Sequence, residues 1–360
     1  MDCVKFPAGK GHGNIHPIPL INLLCRNYVL ASSVDCSIDY LLEKFMSYTM
    51  TAADLFAGLG GNTEGAAQAG VHVVVAANHL PHVVETHARN HPETSHYTQD
   101  LQQANFGTWP DFDLLLASPC CQGFSNARGK DKPQHDVSRS TAWAVVSATE
   151  AKKPKFLMVE NVLGFRRWTL FPQWKSCLEN LGYVLHENVL DAADFGVPQE
   201  RERLFVTGVH RSVSDCPAVV SRPGLDRIPA SAIIDWNFDC WSLVDKPGRA
   251  EATLQRIANG RRQFGPRFVA PFYGSGSGTT GRSLDRPLGT ITRKDRWMLV
   301  DNDRCRMLQL HENRRGMGFR DGYILPDDPK TALAMLGNAT CPPVVRRVVQ
   351  TFQKYVGSTA

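Results

Sequence analysis

The sequence predicts an α/β fold, a parallel sheet with helices on both faces and a smaller unit attached, and three observations carry that prediction. From Thr51 to about Gly208, short apolar runs alternate with helix-like stretches, the pattern of strands joined by crossover helices. After Gly208 the alternation stops, and residues 209–285 become rich in Arg, Pro, Gly and Ser, the composition of an irregular, β-containing unit. A chain of 360 residues, 42% hydrophobic and 21% charged, is long enough for one large core and a second small one.

Taken in order, residues 1–49 are unlike the rest: a G-K-G-H-G-N run, Pro17 and Pro19, then weakly patterned apolar residues with no assignable role. Strands are expected at Ala52–Phe56, Val71–Ala76, Leu114–Ala117, Phe156–Val159 and Leu204–Thr207. A helix should begin near Thr63, and helical patterns cover Thr141–Ala151 and Trp174–Leu181. Ligands of such sheets bind at the carboxyl ends of the strands, so the loops there should carry the chemistry. Patterned sequence returns at Leu288–Thr292, followed by a helix-like stretch near Asp303–Gly318. A last helix starts around Pro343 and runs through Val344, Val345, Val348 and Val349.

Several function classes are excluded early. No apolar run approaches the roughly 18 residues of a membrane span. Pro17 and Pro19 interrupt the one apolar patch near the start, so a secretory signal is not expected and a cytoplasmic setting is. The ten cysteines contain no C-x-x-C pair, so no metal site is expected. The vicinal pair Cys120–Cys121 stands out. The net charge of +5 is uneven: between Lys246 and Arg320 there are 16 Lys/Arg against 6 Asp/Glu. That excess is either a solvated surface or a phosphate-contacting face.

Four short motifs fall on the strand ends. Asp54–Gly61 (D-L-F-A-G-L-G-G) should lead from a strand into a helix whose N-terminus faces a ligand. A dinucleotide fingerprint would need glycine where Thr63 stands, which disfavours a pyrophosphate cradle. Ser118–Ser125 (S-P-C-C-Q-G-F-S) offers a cysteine amid backbone amides and near basic groups, a setting expected to lower its pKa. Val159–Val162 (V-E-N-V) places Glu160 on the same rim, where an apolar pocket would raise its pKa. Gln199–Arg203 follows as Q-x-R-x-R. Each has an ordinary alternative: a structural turn, an inert buried cysteine, a capping carboxylate, surface ion pairs.

Their order is more specific than any one of them. The four motifs, with Gly337–Val344 (G-N-A-T-C-P-P-V) after them, resemble the ordered motifs of the cytosine carbon-5 DNA methyltransferases over residues 51–208 and 284–350. The resemblance implies a Rossmann-like mixed sheet flanked by helices, with S-adenosyl-L-methionine as cofactor. It divides the chain into the 1–49 extension, a catalytic and cofactor-binding domain at 50–208, a target-recognition region at 209–285 and a C-terminal segment at 286–360 returning to the catalytic domain. By the same resemblance Cys121 is the nucleophile, Glu160 engages the target base, and Arg201 and Arg203 stabilise the flipped base and the catalytic loop that holds Gln122, Gly123 and Ser125. Phe56, Gly58, Gly60, Gly61, Asn78, His79, Asp100, Asn338, Ala339 and Thr340 fall at cofactor-binding positions. The implied partner is double-stranded DNA, bound by a monomer, with a cognate restriction endonuclease as a further partner.

Two positions depart from the family pattern. Cys120 replaces the proline that usually precedes the nucleophile, and His79 replaces an acidic residue for the ribose hydroxyls. The shared motifs also fit a transfer-RNA methyltransferase of the same chemistry, against which the sizeable 209–283 insert favours DNA. A catalytically inactive DNA-binding relative would not need the cysteine, the glutamate and both arginines together. A zinc-dependent deaminase would need P-C-x-x-C, which Pro119-Cys-Cys-Gln does not supply.

Overall fold

The computed structural model describes residues 50–121, 124, 139–272 and 280–356, all within one compact unit. The expectations for residues 1–49, for Gln122, Gly123 and Ser125, and for most of the Gly/Ser-rich run 273–281 lie outside the described residues.

The first half runs β1 (Thr51–Leu55), α1 (Gly61–Gln68), β2 (His72–Asn78), α2 (Pro81–Asn90), β3 (Ser95–Thr98), β4 (Leu114–Ala117), α3 (Ala142–Lys152), β5 (Phe156–Asn161), α4 (Phe171–Asn180), β6 (Tyr183–Asp191), β7 (Gln199–Glu200) and β8 (Glu202–His210). Seven of these strands form one sheet in the order β3-β2-β1-β4-β5-β8-β6. β1 to β5 pair in parallel, whereas β8 is antiparallel to both β5 and β6. The alternation had suggested a wholly parallel sheet; the mixed sheet implied by the family resemblance is the one found. The reason is local: only residues 192–201 join β6 to β8, too few for a parallel crossover. Antiparallel β8 therefore brings its first residues, not its last, to the edge where β5 ends, with Asn161 opposite Leu204 and Glu160 opposite Phe205.

Alternating side chains on the central strands feed two cores. Ala52, Leu114, Leu116, Phe156 and Met158 face one side, with Ala66 of α1 and the valines of the last helix. Ala53, Leu55, Leu115, Leu157 and Val159 face the other, with Ala144, Val145 and Ala148 of α3 and Trp174 and Leu178 of α4. The indole of Trp174 donates to the carbonyl of Ala142 at 2.9 Å, binding α4 to α3.

The second half runs β9 (Ser242–Leu243), α5 (Glu251–Phe264), β10 (Arg267–Pro271), β11 (Arg282–Ser283), β12 (Leu288–Gly289), β13 (Trp297–Asp301), β14 (Arg304–Met307), α6 (Leu310–Gly316), α7 (Pro329–Asn338) and α8 (Pro342–Val356). A five-stranded antiparallel sheet, β11-β10-β13-β14-β9, has its own small core around Ile257, Phe268, Met298 and Val300. This region is more regular than its composition suggests. α5 escapes a sequence reading because only Thr253, Ile257 and Gly260 are buried on it, a thin stripe on an Arg-rich helix. Gly260 is required there because an added Cβ would lie 2.2 Å from the Phe268 ring.

The stretch 303–318, read as one helix, is instead strand β14 followed by α6. Arg304–Met307 pairs with β13, and α6 begins at a capping box in which Gln309 and Glu312 bond reciprocally. Of the patterned run 288–292, only Leu288–Gly289 pairs, in parallel with β7.

Candidate active site

β1 ends at Leu55 because Phe56 turns into the left-handed region at φ 61°, and Gly58 and Gly60 follow at 56° and 96°. Glycine is needed at position 60 on both grounds available: its φ, and a Cβ that would sit 2.4 Å from the Tyr323 hydroxyl. At Gly61, where α1 begins, a Cβ would meet the carbonyl oxygen of Thr340 at 2.2 Å. The glycine loop and the C-terminal motif are thus in direct contact, and the Thr340 hydroxyl donates to Asn62 Oδ1 at 2.8 Å. Gly61→Ala is expected to cost about 1–3 kcal/mol, the range for overpacking a tight site, read as a lower urea midpoint at unchanged m-value.

Asn62 links three parts of the edge. Its amide donates to Asp54 Oδ1 and to the Ser118 hydroxyl, both at 3.1 Å, while its oxygen accepts from Thr340. Asp54 also accepts from the Thr63 hydroxyl at 2.8 Å. Burial nonetheless pushes the Asp54 carboxyl up to about 7, the two side-chain hydrogen bonds offsetting only part of the desolvation. Ser118 in turn hydrogen-bonds Glu160. Asn161 donates to the carbonyl of Pro119 at 3.0 Å, and the amide of Cys120 donates to Thr141 Oγ1 at 3.0 Å, so the segment leading to Cys121 is held from both sides.

Cys121 is partly exposed at the end of this segment. Its thiol is pushed up, chiefly by burial and then by the Glu160 carboxylate and Cys120, with Arg203 and Arg201 pulling the other way. This corrects the expected lowering: desolvation outweighs the two guanidinium groups, and the resting group is a thiol. Glu160 is 6% exposed, and burial raises its pKa against the opposing pull of Arg203, Arg201 and Ser118. Arg203 Nε lies 3.5 Å from Glu160 Oε1. A small cavity beside them is lined by Glu160, Arg201, Arg203, Phe205, Thr340 and Cys341.

Arg201 has a different setting from Arg203. Buried to 3% exposure, it donates to the carbonyls of Ile291 at 3.1 Å and of Gly337 and Ala339 at 2.9 Å each. Burial lowers its pKa to about 10, which leaves it charged at neutral pH. Its guanidinium fastens the C-terminal motif to the start of β8.

The remaining expected cofactor positions are spread along the same edge. Asn78 ends β2, and its Oδ1 accepts from the amide of Leu80 at 3.1 Å in the turn before the next helix; His79 is exposed. Asp100 is exposed beyond β3 and accepts from the amide of Gln102. Asn338 is exposed at the end of α7, while Ala339 and Thr340 are buried. A shallow depression lined by Ala57, Gly58, Ala77, Asn78, Val83 and His87 runs along this edge. The arrangement fits an adenosyl amino acid: close-approach glycines, a helix N-terminus for its carboxylate, and carboxylate and amide groups at the strand ends for the nucleoside.

A family model, C-5 cytosine-specific DNA methylase, matches residues 50–224, which include Cys121, Glu160, Arg201 and Arg203. Residues 50–224 thus carry a C-5 cytosine-specific DNA methylase domain. Among similar proteins, this methylase is 27% identical to the type II methyltransferase M.HhaI of Haemophilus parahaemolyticus, over 85% of this chain and 94% of that one. It is 27% identical to M.BsuFI of Bacillus subtilis, over 83% and 71%. In fold, the methylase is similar to an E. coli prophage protein described as a DNA modification methyltransferase (TM-score 0.65, 20% identity, 86% of this chain and 100% of that one). It is likewise similar to the S. pombe Dnmt2 methyltransferase (0.60, 17%, 85% and 99%).

Much of the basic excess of the methylase is engaged internally. Arg267 and Arg304 pair with Asp301, Arg306 with Glu312, Arg282 with Glu200, and Arg314 and Arg315 with Asp321. Arg293 and Lys294 are exposed next to Gly337, whose added Cβ would lie 2.4 Å from the Arg293 amide nitrogen. Among the described residues no group of His, Cys, Asp or Glu could hold a metal ion, and no helix is long and apolar enough to cross a membrane. Residues that a sequence reading did not single out are Asp54, Asn62, Ser118 and Tyr323. The first three sit beside or within the quoted motifs, and Tyr323 carries no signal of spacing at all.

Proposed function

We propose that this methylase transfers a methyl group from S-adenosylmethionine to carbon 5 of a flipped-out cytosine in double-stranded DNA at a specific sequence, through a covalent adduct of Cys121 at carbon 6. The observation that carries the reading is the meeting of Cys121, Glu160 and Arg203 at one sheet edge, beside the glycine loop closed by Thr340. Carbon 5 of cytosine is a weak nucleophile. Addition of the Cys121 thiolate to carbon 6 moves the ring's electron pair to carbon 5, while a proton held by Glu160 offsets the charge that develops at ring nitrogen 3. When bound, the cofactor supplies a methyl group on an electrophilic sulfonium. Loss of the carbon-5 proton to a water molecule then returns its bond pair to the ring and expels Cys121 as the thiolate. The base must leave the duplex for this, at a cost of a few kcal/mol. Phosphate contacts repay that cost, and the region 209–285 reads base edges.

The productive pair is a Cys121 thiolate with a protonated Glu160, which is one proton in total. Below the Glu160 pKa the pair holds one proton too many, and above the Cys121 pKa one too few. Both values are raised, from 4.5 and 9.0 respectively, so kcat/KM should rise with pH through a value above 4.5 and fall only above 9. Glu160→Gln is expected to abolish the alkaline fall, leave a single rising limb set by ionisation of Cys121 alone, and lower kcat by about 10²–10³, measured by methyl transfer across a pH series.

The reading as a whole is tested by transfer of labelled methyl groups to duplex DNA, with transfer RNA in parallel. Label recovered as 5-methylcytosine in DNA supports it; label in RNA alone replaces it with the RNA enzyme.

A further inference from the structure

We infer that Tyr323 and His91 form a brace beneath the glycine loop and set the affinity for the cofactor; this rests on the proposal that the loop holds S-adenosylmethionine. Tyr323 is 1% exposed and comes from the distant segment after α6. Its hydroxyl donates to the carbonyl of Leu59 at 2.6 Å, in the middle of the loop. The next amide, of Gly60, donates to the carbonyl of Ala57 at 2.9 Å. Both ends of the Leu59–Gly60 peptide are therefore tied, and the plane cannot turn over. The left-handed conformations of Gly58 and Gly60 are sustained by these two bonds, because glycine by itself would sample other states.

The hydroxyl also has an acceptor role. His91 Nε2 lies 2.9 Å from Tyr323 Oη; since that hydroxyl donates to Leu59, the histidine nitrogen must carry the hydrogen. His91 caps α2 one turn beyond His87, and the two rings are 4.8 Å apart. His87 Nε2 in turn lies 3.1 Å from the Thr63 hydroxyl in the first turn of α1, and its Nδ1 lies 2.8 Å from His96 Nε2. The groups facing His91 are His87 and His96, Arg320, whose guanidinium lies 5.4 Å from the Tyr323 ring, and beyond it Glu64, 3.3 Å from Arg320. Burial, with Arg320 and His96, pushes His91 down to about 4, so it is neutral at working pH and can serve as a fixed single donor. Tyr323 meets the loop through the Leu59 carbonyl, so the brace acts by positioning and takes no part in bond making.

The test is calorimetric binding of S-adenosylmethionine and S-adenosylhomocysteine, with kcat measured at saturating cofactor. Tyr323→Phe is expected to raise both Kd values about tenfold, with kcat within about twofold of wild type. His91→Leu should raise Kd by about threefold, and His91→Gln, which keeps a donor, should restore it. Wild-type protein that binds neither ligand overturns the cofactor reading itself. Wild-type binding with an unchanged Kd in Tyr323→Phe, or a loss confined to kcat, overturns the brace alone. If Tyr323→Phe does not fold, the His91→Leu and His91→Gln pair decides: equal affinities for the two overturn it.

Discussion

Cys121→Ser is expected to abolish methyl transfer, by at least about 10³-fold or ~4 kcal/mol of barrier, while binding of cofactor and DNA persists. The serine hydroxyl occupies nearly the same volume beside Glu160 and Arg203, so the site should keep its shape. What it loses is a nucleophile that can ionise: the half-buried thiol already has a raised pKa, and an alcohol is far harder to ionise in the same place. The neighbouring thiol makes a useful control. Cys120→Ser leaves the Cys120 amide bond to Thr141 intact and is expected to retain transfer within about fivefold, because nothing in the proposed chemistry passes through that side chain. Label transfer to duplex DNA, run beside a gel-shift with the same DNA, separates chemistry from binding. Full activity in Cys121→Ser would refute the covalent route.

The second large effect concerns stability. Arg201→Leu is expected to destabilise the protein by about 3–5 kcal/mol, since the carbonyls of Ile291, Gly337 and Ala339 would be left buried without their charged donor. For a protein of this size that corresponds to a Tm lower by roughly 4–8 °C, measured by calorimetric or fluorescence melting. Arg201→Lys should recover only part of it, because a compact ammonium cannot span three carbonyls as a planar guanidinium does. Arg203→Lys should behave oppositely. Its partner is the Glu160 carboxylate at 3.5 Å, so the loss is expected in turnover with the melting temperature little changed.

The contrast between these two arginines shows what a sequence reading can reach. Q-x-R-x-R placed both on the right edge, and strand alternation would put residues two apart on one face, but Arg201 lies between β7 and β8 and outside either strand. Only the packing of residues 291 and 337–339 tells which one is structural. The strands β1, β2, β4 and β5 were legible because buried strands are short apolar runs, and Cys121 and Glu160 were legible because they follow such runs directly. β6 was not, since its burial is mixed along Tyr183–Asp191 and its charged and polar residues hide the pattern. The direction of β8 was equally hidden, for chain direction in a sheet follows from connection length. The rise in the Cys121 pKa could not be read from motif chemistry either: nearby arginines were visible in the sequence, but the desolvation that outweighs them was not.

Because Thr340 closes over Gly61 and Arg201 grips residues 337 and 339, the order of synthesis acquires a meaning. A chain leaving the ribosome exposes its glycine loop and nucleophile early and its closing segment about 200 residues after the nucleophile. At synthesis rates of ~5–20 residues per second, more than about ten seconds separate the two. A nascent or prematurely terminated chain therefore carries the Cys121 segment but no finished pocket, and methyl transfer begins only with chains translated past residue 340.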